Sequence, residues 1–483
     1  MIRAPFASLF VCRIGGMITL AAILLAISVT LSAAAEPRPN VLFLVADDLN
    51  NDLGCYGNTT VKTTNIDRLA ERGVRFDRAY CQYPLCNPSR TSFLSGQYPT
   101  ATRVWDNDTS PRSRLGSTVE FLPEYFERHG YFTARVGKVA HETFEREVAW
   151  NVSERSKDGP GYQHGQVEYD PIDHGSYWEP TPNADEIEQD GRTALRVAEL
   201  IDEHRSGPFF IAAGFKKPHR PWPAPAKYFD LYPWTKINLA AEPAGFRERV
   251  PLVAVLGFRK GGHVDPEPVR ADQTRKQIVA AYYATISFVD AQIGHIFDRL
   301  DRHELWDDTI VVFLSDHGYH LGDHGGLWHK MSLFEEAARV PLLVAAPGKA
   351  AGKAAAGIVE AVDLYPTLVE LCGLPPKGDI DGQSFAPLLA DPAAPGKTAA
   401  FTMLVRTGDA PVLEGRAVLG RSIRTEDYRY TEWSDGHGAE MYDHREPGPQ
   451  FVNLADDPRF ASERAALRAK LDAFAAEDLA TAK

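Results

Sequence analysis

Four stretches of the chain are almost continuously apolar over the length of a strand: residues 40–46 (NVLFLVA), 209–213 (FFIAA), 309–314 (TIVVFL) and 341–346 (PLLVAA). Segments apolar on both faces suit the interior of a parallel sheet covered by helices. Between them the apolar period lengthens to that of a helix, over residues 119–129, 192–204 and 276–303. The last carries Ile278, Tyr282, Ile286, Val289, Ile293, Ile296 and Leu300 along one stripe. Alternating strands and helices predict a large α/β domain over residues 36–395. Beyond the Pro/Ala/Gly-rich residues 390–396 the pattern changes again. Residues 401–405, 421–425 and 428–433 read as short antiparallel strands and 460–480 as a closing amphipathic helix, a smaller C-terminal subdomain over 396–483.

The first 35 residues follow a different rule. Arg3 and Arg13 precede the apolar residues 17–31, and Ala33, Ala34 and Ala35 offer a small-residue cleavage site, so residues 1–35 read as an export signal. Its dense apolar core is shorter than the roughly 20 residues of a membrane span, which favours cleavage over a retained anchor. No later run is long enough to span a bilayer. The expected location is therefore an exported one: periplasmic, extracellular or lysosome-like.

Charge and composition narrow the classes. The chain has 65 acidic against 52 basic residues, a net charge of −13, which becomes −15 when Arg3 and Arg13 leave with the signal. That balance disfavours a nucleic-acid partner, because phosphate backbones need a basic surface. A 44% apolar fraction supports a sizeable core. Cys55, Cys81, Cys86 and Cys372 are too sparse for a disulfide scaffold.

Candidate chemistry collects where strands end, since open parallel sheets bind ligands at their carboxyl ends. The first strand runs into Asp47-Asp48, and the 309–314 strand into Ser315-Asp316-His317-Gly318. Such a set suits an oxygen-preferring cation, Ca²⁺ or Mg²⁺, with one imidazole leaving Mn²⁺ or Zn²⁺ open. Each acidic pair alone also fits an ordinary turn or cap. Residues 81–98 (CQYPLCNPSRTSFLSGQY) add a helix start, with Pro88 in its first turn. Cys86 then sits near free backbone N–H groups and the positive end of a helix, with Arg90 one turn further on the same face. Besides a place facing an anion, two readings stay open: Cys86 as a buried small residue with Arg90 a surface cation, or Cys86 as a thiolate nucleophile of lowered pKa.

Cys86-x-Pro88-Ser89-Arg90, continuing through residues 91–96 (TSFLSG), resembles the signature of the formylglycine-dependent (type I) sulfatase family, whose Cys is oxidised to Cα-formylglycine. The order of acidic strand ends and signature agrees with that family, as do residues 65–70 (NIDRLA), 362–367 (VDLYPT), 381–384 (DGQS) and 440–443 (EMYD). Residues 137–141 (GKVAH), 216–221 (KKPHRP) and 316–330 are similar to members resembling iduronate-2-sulfatase, which carry His where others carry Asn at position 317. The resemblance implies an alkaline-phosphatase-like α/β sandwich: a large, mostly parallel sheet flanked by helices, with a smaller C-terminal α+β subdomain holding a short antiparallel sheet. It implies a single divalent cation, Ca²⁺ ahead of Mg²⁺ or Mn²⁺, on Asp47, Asp48, modified Cys86, Asp316 and His317. It also implies a sulfate pocket of Arg90, Lys138, His141, His219 and Lys330. In the family mechanism a hydroxyl of the hydrated aldehyde at position 86 attacks sulfur, and His219 with Lys330 protonates the leaving alkoxide. His141 then takes a proton from the second hydroxyl, and sulfate is expelled.

The expected partners are a sulfated carbohydrate, iduronate-2-sulfate-like or a related glycosaminoglycan residue, and a formylglycine-generating maturation enzyme. A phosphoesterase or phosphonate hydrolase of the same superfamily, and a catalytically lapsed sulfated-glycan-binding protein, are the competing readings. Residues 104–114 and 164–177 are candidates to line the substrate cleft, and Arg112, Arg114, Arg406 and Arg421 to grip a carboxylate.

Overall fold

The computed structural model describes residues 1, 38–142, 144–155, 178–239, 242–257, 271–408, 410–445 and 450–481. Residues 2–35 of the expected export signal and the 164–177 segment lie outside these. Among the described residues no helix is long and apolar enough to cross a membrane.

Residues 39–483 form one compact unit around an eight-stranded sheet. Its strands in chain order are β1 (Asn40–Asp47), β2 (Val74–Tyr80), β3 (Phe132–Gly137), β4 (Val152–Glu154), β5 (Phe209–Pro218), β6 (Thr309–Ser315), β7 (Leu342–Ala345) and β8 (Lys353–Glu360). Their spatial order is β8-β2-β7-β6-β1-β5-β3-β4. β1 lies at the centre, parallel to β5 and β6. All eight of its residues are buried: Val41, Phe43 and Val45 pack on one face, Leu42, Leu44 and Ala46 on the other. Two covered faces explain the uninterrupted apolar pattern.

The expectation of parallel pairing fails at 341–346, because β7 runs antiparallel to both β6 and β2. The reason is connectivity. The segment joining β6 to β7 leaves and re-enters the sheet at the same end of the strands, with Leu342 paired to Leu314, so β7 must run back. Both ends of that segment therefore sit at the carboxyl end of β1, which is where a site can use them.

Long helices cover the sheet. α1 (Thr64–Arg72), α2 (Cys86–Ser95), α3 (Leu122–Arg128), α4 (Gln189–His204) and α5 (Asp272–Arg302) include each helix expected from periodicity. The stripe of α5 from Ile278 to Ile296 packs on the Leu42/Leu44/Ala46 face. α2 differs: all ten residues are buried and its sequence is mostly polar, so amphipathicity gives no warning of it. Downstream, β9 (Ala400–Arg406), β10 (Val418–Arg424), β11 (Tyr428–Trp433) and β12 (Ala439–Asp443) make a four-stranded antiparallel sheet in sequential order, followed by α6 (Ala461–Thr481). Cys55, Cys81, Cys86 and Cys372 are all free thiols.

Candidate active site

Three backbone segments converge at the carboxyl end of β1. Asp47 is its last residue, and Asp48 follows in the left-handed region at φ 64°, a conformation that costs a non-glycine residue energy and persists only where neighbours enforce it. The Tyr282 hydroxyl of α5 donates to the Asp48 carbonyl (2.7 Å) and accepts from the Asn50 N–H (2.9 Å). Ser315, closing β6, accepts from the Leu49 N–H (2.9 Å) and donates to the His317 carbonyl (2.8 Å). Cys86 opens α2, and the Ser89 hydroxyl of the same turn donates to the Asp316 carbonyl. Lys330 stands between His329 (φ 70°) and Met331 (φ 64°), two further strained positions.

A close approach brings in Lys138. A Cβ on Gly214 would meet the Lys138 carbonyl carbon at 2.1 Å, so only glycine lets β5 pass the chain leaving β3. The Lys138 N–H donates to the Gly214 carbonyl (2.8 Å), and its ammonium reaches Asp47.

The side chains form one buried cluster. The Cys86 Sγ lies 3.5 Å from Asp47 Oδ1, 3.5 Å from His317 Nε2 and 3.1 Å from Lys330 Nζ. Lys330 Nζ also donates to Asp48 Oδ1 at 2.5 Å. Arg90 Nε donates to Asp316 Oδ2 (2.8 Å), with Nη2 3.6 Å from Asp47 Oδ1. His317 Nε2 stands 3.5 Å from both Asp48 Oδ1 and Asp316 Oδ2. Three carboxylates thus face three cations in a cluster that is buried around Asp47, Asp48, Arg90, Asp316 and His317, all at most 1% exposed, and opens on the side of Lys138 and His219.

The electrostatics sort these groups. Burial raises the pKa of Asp47, but Lys138, His219, Arg90 and Lys330 outweigh it and hold the carboxyl well below its ordinary range. Burial, assisted by Asp47, leaves Asp48 above its ordinary value despite Lys330. Burial acts against the Lys138 and Lys330 ammonium groups, yet the facing carboxylates keep both protonated beyond the lysine norm. Burial first, then Asp47, push the Cys86 thiol up to about 12, opposite in direction to the lowered pKa of a thiolate nucleophile. A helix N-terminus does not offset a buried carboxylate at 3.5 Å. Burial, with Lys138 and Arg90, lowers His141 to about 3, so its imidazole is neutral here, and burial also holds His219 well below the ordinary histidine value.

The residues fit a divalent cation. Single ligand atoms from Asp47, Cys86, Asp316 and His317 all lie within 4.8 Å of one another, as do those of Asp47, Asp48, Cys86 and His219. Asp48 Oδ2 is buried with no hydrogen-bond partner, an acceptor whose desolvation a cation would offset. The His317 Nδ1–H donates to the Gly318 carbonyl (3.0 Å), which leaves Nε2 as the lone-pair nitrogen facing the acids. Oxygen donors predominate, the preference of Ca²⁺ or Mg²⁺.

Every residue singled out from the sequence as metal ligand or sulfate contact belongs to this place. His219 Nε2 is 3.9 Å from Asp48 Oδ2, and His141, Lys138 and His219 line one cavity of about 210 Å³. The proposed arginines do not join them. Arg406 is fully buried and donates to the Val253 and Ala254 carbonyls. Arg112 is spent on Glu124 and the Glu147 and Val119 carbonyls. Arg421 pairs with Glu432 and Asp472, beside a larger cavity of about 1150 Å³ that holds none of the cluster. Arg114 is exposed on a short helix. Sequence reasoning missed Asp190, whose carboxylate accepts from the Lys216 and Lys217 N–H groups at 2.8 Å each and fixes the turn that carries His219. A lone Asp in the first turn of α4 reads as a capping residue, so nothing in the sequence distinguished it.

Comparison with known proteins is consistent across the chain. The sulfatase family model matches residues 39–374, and the model for the C-terminal region of N-sulphoglucosamine sulphohydrolase matches residues 322–477. A sulfatase from Formosa agariphila is 31% identical, covering 90% of this chain and 86% of its own length. The iduronate 2-sulfatase of Mus musculus is 33% identical, covering 85% and 89% respectively. Among solved structures, a phosphonate monoester hydrolase from Silicibacter pomeroyi superposes with a TM-score of 0.78 at 23% identity over 91% of this chain and 96% of that one.

Proposed function

Since the chain belongs to the sulfatase family and is a hydrolase of sulfuric esters, we propose that its substrate is a sulfate monoester on a uronic acid or a related sugar of a sulfated polysaccharide. In this reading Cys86 is converted to formylglycine. Asp47, Asp48, position 86, Asp316 and His317 hold a divalent cation, Ca²⁺ before Mg²⁺ or Mn²⁺. The observation that carries the reading is the buried meeting of Cys86 with three carboxylates, Arg90, Lys138 and Lys330. The uronate half rests on likeness to a protein named iduronate 2-sulfatase.

Each side chain then has a physical task. The aldehyde, once hydrated, supplies a nucleophilic oxygen at position 86; the cation supplies a positive field that favours the ionised nucleophile and a bound sulfate oxygen. Lys138 and Lys330 face the same point and neutralise charge building on sulfate oxygens in a water-poor site, where such contacts are strongest. Arg90 orients Asp316. His219 donates its Nδ1–H to the Arg220 carbonyl, so Nε2 is the nitrogen turned to the cavity and bears only a lone pair in the neutral ring. It serves as the acid towards a leaving alkoxide only after Nε2 has taken up a proton, for instance from the bound nucleophile or substrate. His141, neutral under the local cations, can accept a proton from the nucleophilic centre.

Export fits this chemistry, with residues 1–35 as the signal, and a formylglycine-generating enzyme is the maturation partner. Trypsin releases residues 79–90 (AYCQYPLCNPSR). Protein from its native host should show one alkylated cysteine, Cys81, and an aldehyde at position 86. Two alkylated thiols would overturn the formylglycine mechanism.

A further inference from the structure

The connection from β6 to β7 carries Asp316 and His317 at its start and Lys330 further along, so one segment serves both the proposed cation site and the proposed sulfate pocket. Between them it folds into a short antiparallel ribbon, His320–Asp323 against Leu327–His329, with His320 paired to His329. Lys330 leaves this ribbon between two left-handed residues, a backbone that its surroundings must hold. The Tyr319 hydroxyl bonds His329 Nδ1 at 2.6 Å. The Met331 N–H donates to the Pro84 carbonyl (3.1 Å), on the turn that presents Cys86. A further tie runs through side chains: Asp323 Oδ1 accepts from His320 Nδ1, and His320 Nε2 lies 2.5 Å from Ser332 Oγ.

Carboxylate, imidazole and hydroxyl in that order make the pattern of a hydrolytic triad. Yet His320 is 0% and Ser332 1% exposed, and a nucleophile has to meet its substrate. Ser332 Oγ is also engaged by the Phe334 N–H (3.3 Å). The same bonds make an effective brace. An ionised Asp323 can only accept, which puts a proton on Nδ1 and fixes the ring, while its Oδ2 accepts the Leu321 N–H at 3.0 Å. A neutral imidazole then accepts from the Ser332 hydroxyl and a charged one donates to it, so the link persists in both forms. It ties the strand entering the ribbon to the chain leaving it, two residues beyond Lys330.

We infer that His320 and Ser332 are positioning residues that set the Lys330 ammonium against Asp48 and position 86, with Asp323 orienting the imidazole. This rests on the sulfatase reading, which gives Lys330 its task, and deepens it.

The test is a double-mutant cycle on kcat for a small aryl sulfate, using formylglycine-bearing wild type, Ser332→Ala, His320→Asn and Lys330→Ala. Each of the first two changes is also combined with Lys330→Ala, and circular dichroism checks every fold. Asn at position 320 is too short to span from Asp323 to Ser332, so it breaks the link independently. Either change should lower kcat by about ten- to a hundredfold, the size of a displacement of about 1 Å at a reacting group. In the Lys330→Ala background each should cost less than about threefold, because residues that act through one group are not additive. An equal loss in both backgrounds would mark a merely structural role and overturn the inference alone. So would kcat within about threefold of wild type in either single variant. An inert formylglycine-bearing wild type overturns the sulfatase reading, and the inference with it.

Discussion

Replacing Lys330 by Ala tests whether the cluster is balanced as its geometry indicates. The Lys330 ammonium sits 2.5 Å from Asp48 Oδ1, with a side chain 6% exposed. At an effective dielectric near 20, that attraction is about 7 kcal/mol before the cost of desolvating both ions. The net effect of deleting one partner of a buried pair is smaller, roughly 3–5 kcal/mol, and arises mainly from the carboxylate left behind. With about 2.1 cal/mol/K of unfolding entropy per residue, the loss for the 39–483 unit is a fall of roughly 3–5 °C in melting temperature. The measurement is thermal unfolding with chelator and again with Ca²⁺. Lys330→Ala leaves three buried carboxylates facing two permanent cations and frees Asp48 Oδ1 to join the unpartnered Oδ2. Ca²⁺ should therefore restore more stability to the variant than it adds to the wild type. Turnover should stay depressed by about 10²–10³ in either condition, because the contact to the developing charge is gone. An unchanged melting temperature in chelator, equal Ca²⁺ shifts in both proteins, or turnover within threefold of wild type would each refute the reasoning.

Other outcomes follow from groups outside the reacting centre. His324 is fully buried and its Nε2 is 2.9 Å from Glu336 Oε2. Burial opposes its charge, but Glu336 prevails and raises its pKa to about 9. A histidine pKa raised on folding stabilises fully below pH 6.5, and that contribution is lost as pH climbs through 9. Urea unfolding should accordingly show up to about 3 kcal/mol of stability disappearing between those values, and His324→Asn should flatten the slope. Arg406→Ala should lower the melting temperature, since its guanidinium satisfies the Val253 and Ala254 carbonyls, while KM stays within twofold; a large KM increase in a well-folded variant would restore Arg406 as a substrate contact. Cys86→Ala should abolish turnover while leaving the fold intact by circular dichroism.

Much of this architecture is legible in the sequence, and the exceptions have causes. Central strands announced themselves because β1, β5 and β6 bury both faces. β2 and β3 did not, for their apolar residues are interrupted by Arg75, Asp77, Arg78 and Arg135. The direction of β7 was hidden because burial looks the same in either orientation; only the geometry of the preceding segment decides it. At the site, Asp47-Asp48, Cys86 with Arg90 and Asp316-His317 stood out as polar residues at strand ends and a helix start, and through their match to the family signature. Residues that hold them did not. Asp190, Gly214, Ser315 and Tyr282 act through backbone contacts between segments distant in the chain, and no local pattern encodes such meetings. The carboxylate-gripping role expected of Arg406 failed for the opposite reason, since a guanidinium buried under a sheet looks in sequence like one on a rim.

The strand order has a bearing on when Cys86 can be reached. β2 leads directly into the turn that carries it, yet among the described residues its neighbours in the sheet are β7 and β8, which are encoded up to about 270 residues further on. At translation rates of about 5–20 residues per second, β2 stays without a partner for roughly 15–55 s. In the finished protein Cys86 is 1% exposed and closed to another enzyme. In the proposed conversion of Cys86, a maturation enzyme would work against a timer, and synthesis rate, together with any pause before residue 342, would set the fraction of chains able to become active.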